Sequence, residues 1–119
     1  MTTSHFRKTV SYLKGSPNIG GVSLVGAAKH AGCSRWTLMN HLSMCGTSWM
    51  RLLNEERHAR FRQAVIDCDE ITMGAMADHL GVTPKVVGDL AMKWSGKHFR
   101  DYKNDILLES AGHQTKATR

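Results

Sequence analysis

Residues 23–42 read SLVGAAKHAGCSRWTLMNHL and decide the fold of this chain. Ser23 is a residue type that caps a helix N-terminus. The residues after it place small and apolar side chains on one helix face: Leu24, Ala27, Ala28 and Ala31. Gly32 ends this helix, because glycine tolerates the left-handed backbone conformation found just beyond a helix C-terminus. The stretch therefore predicts a helix over residues 24–31 that stops sharply.

A second helix follows after a very short turn. Ser34 caps it, it runs to about Met44, and Leu38 and Leu42 face inward one helical turn apart. So short a turn sets the two helices at a steep angle, which is the geometry of a helix-turn-helix. Ala28 suits this arrangement, because a larger side chain there would push the helices apart.

The same pattern returns with an offset of 49 to 50 residues, so that Ser23–Glu55 aligns with Thr72–Asp105. The two copies share a small residue, a glycine and apolar positions: Ala28 with Ala77, Gly32 with Gly81, Leu38 with Val87, Gly46 with Gly96, and Trp49 with Phe99. In the second copy Thr83-Pro84 is a strong helix start, since proline is tolerated in the first turn. The alternative is that two unrelated amphipathic helix pairs look alike by chance.

Between the copies, residues 49–67 contain no proline or glycine and predict one long helix or two collinear ones. Its apolar stripe comprises Trp49, Leu52, Leu53, Ala59, Phe61, Ala64, Val65 and Ile66. The predicted fold class is all-α, with two helix-turn-helix subdomains joined by a long linker helix and about seven helices in total. The predicted segments are a basic N-terminal arm with at most a short helix (1–21), the first unit (22–55), the linker helix (56–68), the second unit (69–106) and a polar C-terminal tail (107–119).

The chain has 119 residues, a formal net charge of +6 and a pI near 9.6. Residues 1–60 carry eight Lys/Arg against two Glu, whereas residues 61–119 carry eight basic and eight acidic residues. A polyanionic partner is therefore expected to bind mainly to the first half. No stretch has the length of a membrane span or the apolar core of a secretion signal, so we expect a cytoplasmic protein that makes no membrane contact. The three cysteines are expected to be reduced thiols.

The order of residues from 22 to 105 resembles the tandem DNA-binding domain of the AraC/XylS family of bacterial transcription regulators. The first copy carries Ala28-x3-Gly32-x-Ser34-Arg35-Trp36-x-Leu38-x3-Leu42, then Gly46-Thr47-Ser48-Trp49 and Leu53-x3-Arg57, and the second keeps Ala77-x3-Gly81 and Gly96-x5-Tyr102-Lys103. The second copy departs from the family pattern at Val82, Gly88, Met92 and Phe99. The resemblance implies a short regulator without an effector domain, acting as an activator with RNA polymerase as a candidate partner.

In a helix-turn-helix the second helix enters the major groove with its N-terminal residues first. With Leu38 and Leu42 inward, the outward residues are Arg35, Trp36, Met39 and Asn40. Arginine can bond guanine, asparagine can bond adenine, and apolar side chains can cover thymine methyl groups. The alternative is that Trp36 packs in the core and Met39 is merely solvated.

The second copy offers Lys85, Val86 and Asp89 as weaker base-reading candidates. Asp89 is repelled by phosphate unless it accepts from cytosine, and Gly88 weakens its helix. This unit is therefore expected to hold mainly the DNA backbone, with a protein partner as the competing interpretation. Hydroxyl and basic groups at helix starts or beside the reading helices are candidate phosphate contacts: Ser34, Thr37, Thr47, Ser48, Thr83, Lys93, Lys97 and Arg100. Plain helix capping is the alternative for Thr47 and Ser48.

Other chemistry receives little support from the sequence. His30-x2-Cys33 and His41-x3-Cys45 suggest zinc only weakly, because four ligands would have to converge across a turn that has its own packing. No phosphate loop, paired carboxylates or nucleophile elbow is present, so we expect no enzyme, metal or cofactor. The sequence favours a regulator that binds an asymmetric double-stranded DNA site as a monomer. The alternatives are an architectural or accessory DNA-binding factor of a phage or plasmid, and a protein-interaction adaptor using the second unit.

Overall fold

The computed structural model describes the backbone of residues 2–117 and the side chains of residues 4–111. Within this part of the chain it contains seven α-helices, one short 3-10 helix and no β-strand, which confirms the predicted all-α class. The helices are α1 (Thr2–Gly15), the 3-10 helix (Ile19–Gly21), α2 (Leu24–Ala31), α3 (Arg35–Met44), α4 (Trp49–Asp67), α5 (Met73–Leu80), α6 (Pro84–Ser95) and α7 (Phe99–Ala117). None of the described helices is both long and apolar enough to cross a membrane.

Side-chain caps fix the start of the helices around both turns. The hydroxyl oxygen of Ser23 accepts from the Gly26 amide at 3.0 Å, and that of Ser34 accepts from the Thr37 amide at 3.1 Å. Thr83 caps α6 in the same way. Gly32 and Gly81 cap the C-termini of the helices before the turns, α2 and α5, and their φ values of 77° and 71° are left-handed. The predicted bounds of α2, the cap of α3 and the proline start of α6 are confirmed.

The chain divides into two compact units, Met1–Arg57 and His58–Arg119. The division falls inside α4, which is one continuous helix, the first of the two alternatives that the sequence left open. Each unit accordingly contains a helix-turn-helix with a helix on either side of it. Unit 1 contains α1, α2, α3 and the first half of α4, and unit 2 contains the second half of α4 with α5, α6 and α7.

The core of unit 1 is built from small residues on α2 and large ones on its neighbours. Its buried members are Leu13, Ile19, Ala27, Ala28, Ala31, Leu38, Leu42, Leu52 and Leu53. Leu38 and Leu42 are fully buried, as their spacing on α3 predicted. The alanines of α2 let the helices pack closely, because they take almost no room at the contact.

The N-terminal segment, expected as a basic arm with at most a short helix, forms the 14-residue helix α1. Its Thr9 and Leu13 are buried in unit 1. The Thr9 hydroxyl donates to the His5 carbonyl oxygen at 2.8 Å, so this polar group is satisfied inside the unit. A buried threonine among arginine, lysine and serine conceals the apolar face of α1, which is why sequence periodicity understates this helix.

Aromatic rings dominate the core of unit 2. Phe61 stacks on Tyr102 with ring centroids 5.4 Å apart, and it meets Trp94 and Phe99 edge-on. The other buried members are Val65, Met76, Ala77, Leu80, Val87, Ala91 and Ile106. Two members of the predicted apolar stripe belong to neither core, because Ala59 and Ile66 are exposed.

The C-terminal segment from 107 was expected as a polar tail, but α7 continues through it to Ala117. Leu107 is half-buried and packs against the core of unit 2. The side chains of residues 112–119 lie outside the described residues, as do the backbones of the last two.

A polar network joins α4, α6 and α7 within unit 2. The His58 imidazole stacks on the Trp94 indole with centroids 4.2 Å apart, and its Nε2 lies 2.5 Å from the Tyr102 hydroxyl oxygen. Arg62 donates to the same hydroxyl oxygen at 3.2 Å and pairs with Glu109 at 2.5 Å. Burial and the nearby positive charge of Arg62 lower the pKa of His58.

This network predicts an acid-sensitive unit 2. Because the pKa of His58 is lower in the folded than in the unfolded chain, the unfolded state binds more protons below about pH 6.5. The free energy of unfolding should therefore fall as the pH drops from 7 to 5. Urea titrations at several pH values measure it, and His58→Gln should show a smaller fall than His98→Gln, whose histidine is exposed. If the free energy of unfolding depended on pH equally in both variants, the role assigned to His58 would be contradicted.

Candidate nucleic-acid interface

The outer face of α3 presents the four residues that the sequence selected. Trp36 is 73% exposed and Met39 is 53% exposed, and Arg35 and Asn40 are also exposed. The interpretation that Trp36 packs in the core is therefore wrong. A tryptophan this exposed in the first turn of a capped helix loses a large hydrophobic contribution unless a partner covers it.

The charge around this face is positive. The helices α1, α2 and α3 contain no acidic residue, and the only acidic residues up to Arg57 are Glu55 and Glu56. Glu56 lies 3.5 Å from the Lys14 ammonium nitrogen, so one of these charges is paired within the unit. A polyanion approaching α3 would therefore meet no carboxylate on these three helices.

The hydroxyl groups proposed as phosphate contacts differ in their availability. The Ser34 hydroxyl caps α3 and also donates to the Thr37 hydroxyl oxygen at 2.8 Å. The Thr47 hydroxyl oxygen is buried and lacks a hydrogen-bond partner among the described residues. Ser48 is exposed and caps α4 by accepting from the Arg51 amide at 3.2 Å. Capping is thus present at Ser48, whereas Thr47 is half-buried with its hydroxyl oxygen shielded from solvent.

A groove of about 360 Å³ lies beside α3 in unit 1. It is lined by Leu24, Met39, Ser43, Thr47, Ser48, Trp49 and Met50. Met39 belongs both to this groove and to the outer face of α3, and Met50 is 55% exposed. The lining has no charged side chain. Its residues come from α2, α3, the turn before α4 and the start of α4, so no local sequence pattern predicts this groove.

In unit 2 the equivalent face of α6 is different in character. Lys85, Asp89 and Lys93 are exposed, and Val86 is half-buried. Gly88 lies within α6, where a glycine weakens a helix by about 0.5–1 kcal/mol relative to alanine. This face therefore combines two cations with one acid and presents no exposed aromatic ring.

Unit 2 also has a groove beside α6, of about 460 Å³. Its lining includes the basic residues His98, Arg100 and Lys103 together with Glu70 and, from α6, Gly88. Lys103 donates to the Ile71 carbonyl oxygen at 3.2 Å and lies 5.6 Å from the centroid of the Phe99 ring. Lys103 was not among the predicted phosphate contacts, because only the fold brings it into this groove.

The remaining candidates at the start of α7 are partly engaged. The Lys97 ammonium nitrogen lies 2.5 Å from a carboxylate oxygen of Asp105, which raises the pKa of Lys97. Arg100 is exposed on the first turn of α7, and Thr83 is exposed while its hydroxyl caps α6. The charge of Lys97 is thus already offset within unit 2, unlike a fully solvated lysine.

The histidines and cysteines considered for zinc do not assemble as the sequence would require. His41 on α3 faces His5 on α1, with their Nδ1 atoms 2.9 Å apart. Cys45 and Cys68 are exposed, Cys33 is half-buried, and none of the three forms a disulfide within the described residues. Among the described residues, no three histidine, cysteine or acidic side chains come together as a metal site.

Comparison with known proteins gives a likeness in structure alone. No protein-family model matches the chain, and no curated protein matches it in sequence. The crystal structure of a DNA-binding transcriptional dual regulator from Escherichia coli K-12 superposes on 85% of this chain and 90% of its own, with a TM-score of 0.74 and 18% sequence identity. At this level of identity the two proteins share a fold.

Proposed function

We propose that this chain is a sequence-specific, double-stranded DNA-binding transcription regulator that reads the major groove mainly through unit 1. The observation that carries the proposal is the outer face of the capped helix α3. There Arg35 and Asn40, which can bond base edges, lie beside an exposed Trp36 that needs a partner. This mixture of polar and apolar groups suits base edges better than it suits water.

Two further observations support DNA as the partner. The excess positive charge of the chain lies in the half that contains α3, and α1 to α3 carry no acid. The E. coli protein that shares the fold is named as a DNA-binding transcriptional dual regulator. The resemblance to the AraC/XylS family points the same way, and we extend the proposal to a bacterial, cytoplasmic activator that binds as a monomer and contacts RNA polymerase.

Unit 2 acts mainly on the DNA backbone in this proposal. Its α6 presents no exposed aromatic ring, and Asp89 opposes a phosphate unless it accepts from a cytosine. Lys93 and Arg100 are exposed cations suited to phosphate, with Lys85 and Val86 as weaker base readers. In unit 1, Ser48 at the start of α4 is the better phosphate contact, because the Thr47 hydroxyl is buried.

Selection of bound duplexes from random double-stranded DNA tests the proposal. The expected result is an enriched motif without two-fold symmetry, because one chain brings two non-identical units to the site. Sequencing gives the motif, and a gel-shift titration at fixed salt gives the affinity ratio between selected and random DNA. Retention of DNA without an enriched motif would favour an architectural factor. Failure to bind any duplex at moderate salt would favour a protein-binding adaptor and would contradict the proposal.

A further inference from the structure

The apolar groove of unit 1 is continuous with the face of α3 that we assign to the DNA. Met39 lines the groove and also stands beside Trp36 on the exposed face, and Met50 lines it from the start of α4. Both methionines are more than half exposed. A flexible thioether side chain adapts its shape to an apolar partner and offers no strong hydrogen-bond donor.

The internal repeat shows that the fold does not impose this apolar lining. With the offset of 49 to 50 residues, Gly88 stands in the place of Met39, and Arg100 stands in the place of Met50. Both equivalents line the groove of unit 2, which also contains Lys103 and Glu70 beside apolar residues that include Met73. The two aligned positions therefore carry different chemistry in the two units, and only unit 1 has a methionine at both of them.

The apolar feature that DNA displays in its major groove is the methyl group at C5 of thymine, and 5-methylcytosine carries a methyl group on the same ring atom. We infer that Met39, with Met50 and Trp36 beside it, forms a recognition site for 5-methylpyrimidines. The inference rests on the proposed function and names the DNA that unit 1 prefers. Affinity then responds to the C5 methylation of cytosine as well as to the presence of thymine.

Methyl-group replacement in a selected duplex tests this inference. Each thymine is replaced in turn by deoxyuridine, and each cytosine, including cytosines newly placed at sensitive positions, is compared with 5-methylcytosine. Removal of a methyl group that contacts Met39 should weaken binding about fourfold, the value of burying one such group. Addition of a methyl group to cytosine at that position should strengthen binding by a similar factor.

Three glutamine variants separate the groove from general effects. The methyl ratio is the affinity for a duplex with the C5 methyl group divided by the affinity for the same duplex without it, measured at thymine and at cytosine. Met39→Gln should bring both methyl ratios close to one, and Met50→Gln should reduce them. Met44→Gln is the matched control, because Met44 is 74% exposed on the same helix but does not line the groove. It should keep the wild-type ratios. All three positions are exposed, so folding is expected to persist and is checked by circular dichroism.

The contrary results are distinct. If a duplex is bound selectively but both methyl ratios are near one at every position, the inference is overturned. An apolar protein segment then becomes the favoured occupant of the groove. A response at thymine with none at cytosine restricts recognition to the thymine methyl group, and it overturns the inference for 5-methylcytosine. Methyl sensitivity that persists in Met39→Gln also overturns the inference. Absence of any selectively bound duplex instead removes the proposed function itself.

Discussion

Replacement of Phe61 by alanine is expected to lower the free energy of unfolding of unit 2 by about 3–5 kcal/mol. Phe61 is fully buried, and its ring contacts those of Trp94, Phe99 and Tyr102. Removal of the ring leaves a cavity bordered by three aromatic side chains, which cannot close without shifting α6 and α7 relative to α4. The loss therefore includes both the transfer of the ring and the unfilled space.

Urea denaturation, monitored by hydrogen exchange of the α6 amides, measures the free energy of unfolding of unit 2. The matched control is Ile66→Ala on the same helix, because Ile66 is exposed and its truncation should change stability by no more than about 0.5 kcal/mol. Similar losses in the two variants would contradict the placement of Phe61 at the centre of unit 2. Both variants introduce alanine into α4, so the helix propensity of the new residue is the same in the two measurements.

The sequence predicted those parts of the fold in which local signals and packing agree. Ser34 and Thr83 begin helices at the predicted residues, because capping is a contact within a few residues of the chain. The helix α1 was understated because its buried face includes Thr9, whose hydroxyl is satisfied by the carbonyl oxygen of His5. Hydrophobic periodicity cannot identify a buried polar group of this kind.

The candidate site likewise has features that the sequence predicted and features that it did not. The exposure of Trp36 and Met39 follows from the inward direction of Leu38 and Leu42, so helix periodicity alone located the outer face of α3. The two grooves were not predicted, because each is assembled from residues of three separate helices. Burial of the Thr47 hydroxyl and the pairing of Lys97 with Asp105 likewise depend on packing that the sequence does not display.

Arg35→Ala is expected to weaken binding to the selected duplex by about 1–3 kcal/mol, or roughly 5- to 150-fold, and to relax specificity at one base pair. Arg35 is the first residue of α3, directly after the Ser34 cap, and it is exposed. Residues at this end of the second helix lead into the major groove, where a guanidinium can bond O6 and N7 of guanine together. Removal of that pair of bonds affects one base pair far more than the others.

Lys29→Ala is the matched control for Arg35→Ala, because it removes the same charge from an exposed position on α2 of the same unit. Titrations against a panel of single-base-pair variants of the duplex, repeated at several salt concentrations, separate base reading from attraction. A lost phosphate contact lowers the salt slope by about 0.9 and weakens every duplex alike. Arg35→Ala should instead flatten the preference at one position of the panel. A uniform loss in Arg35→Ala would make Arg35 a phosphate contact and move base reading to Trp36 and Asn40, the residues next to it on the exposed face of α3.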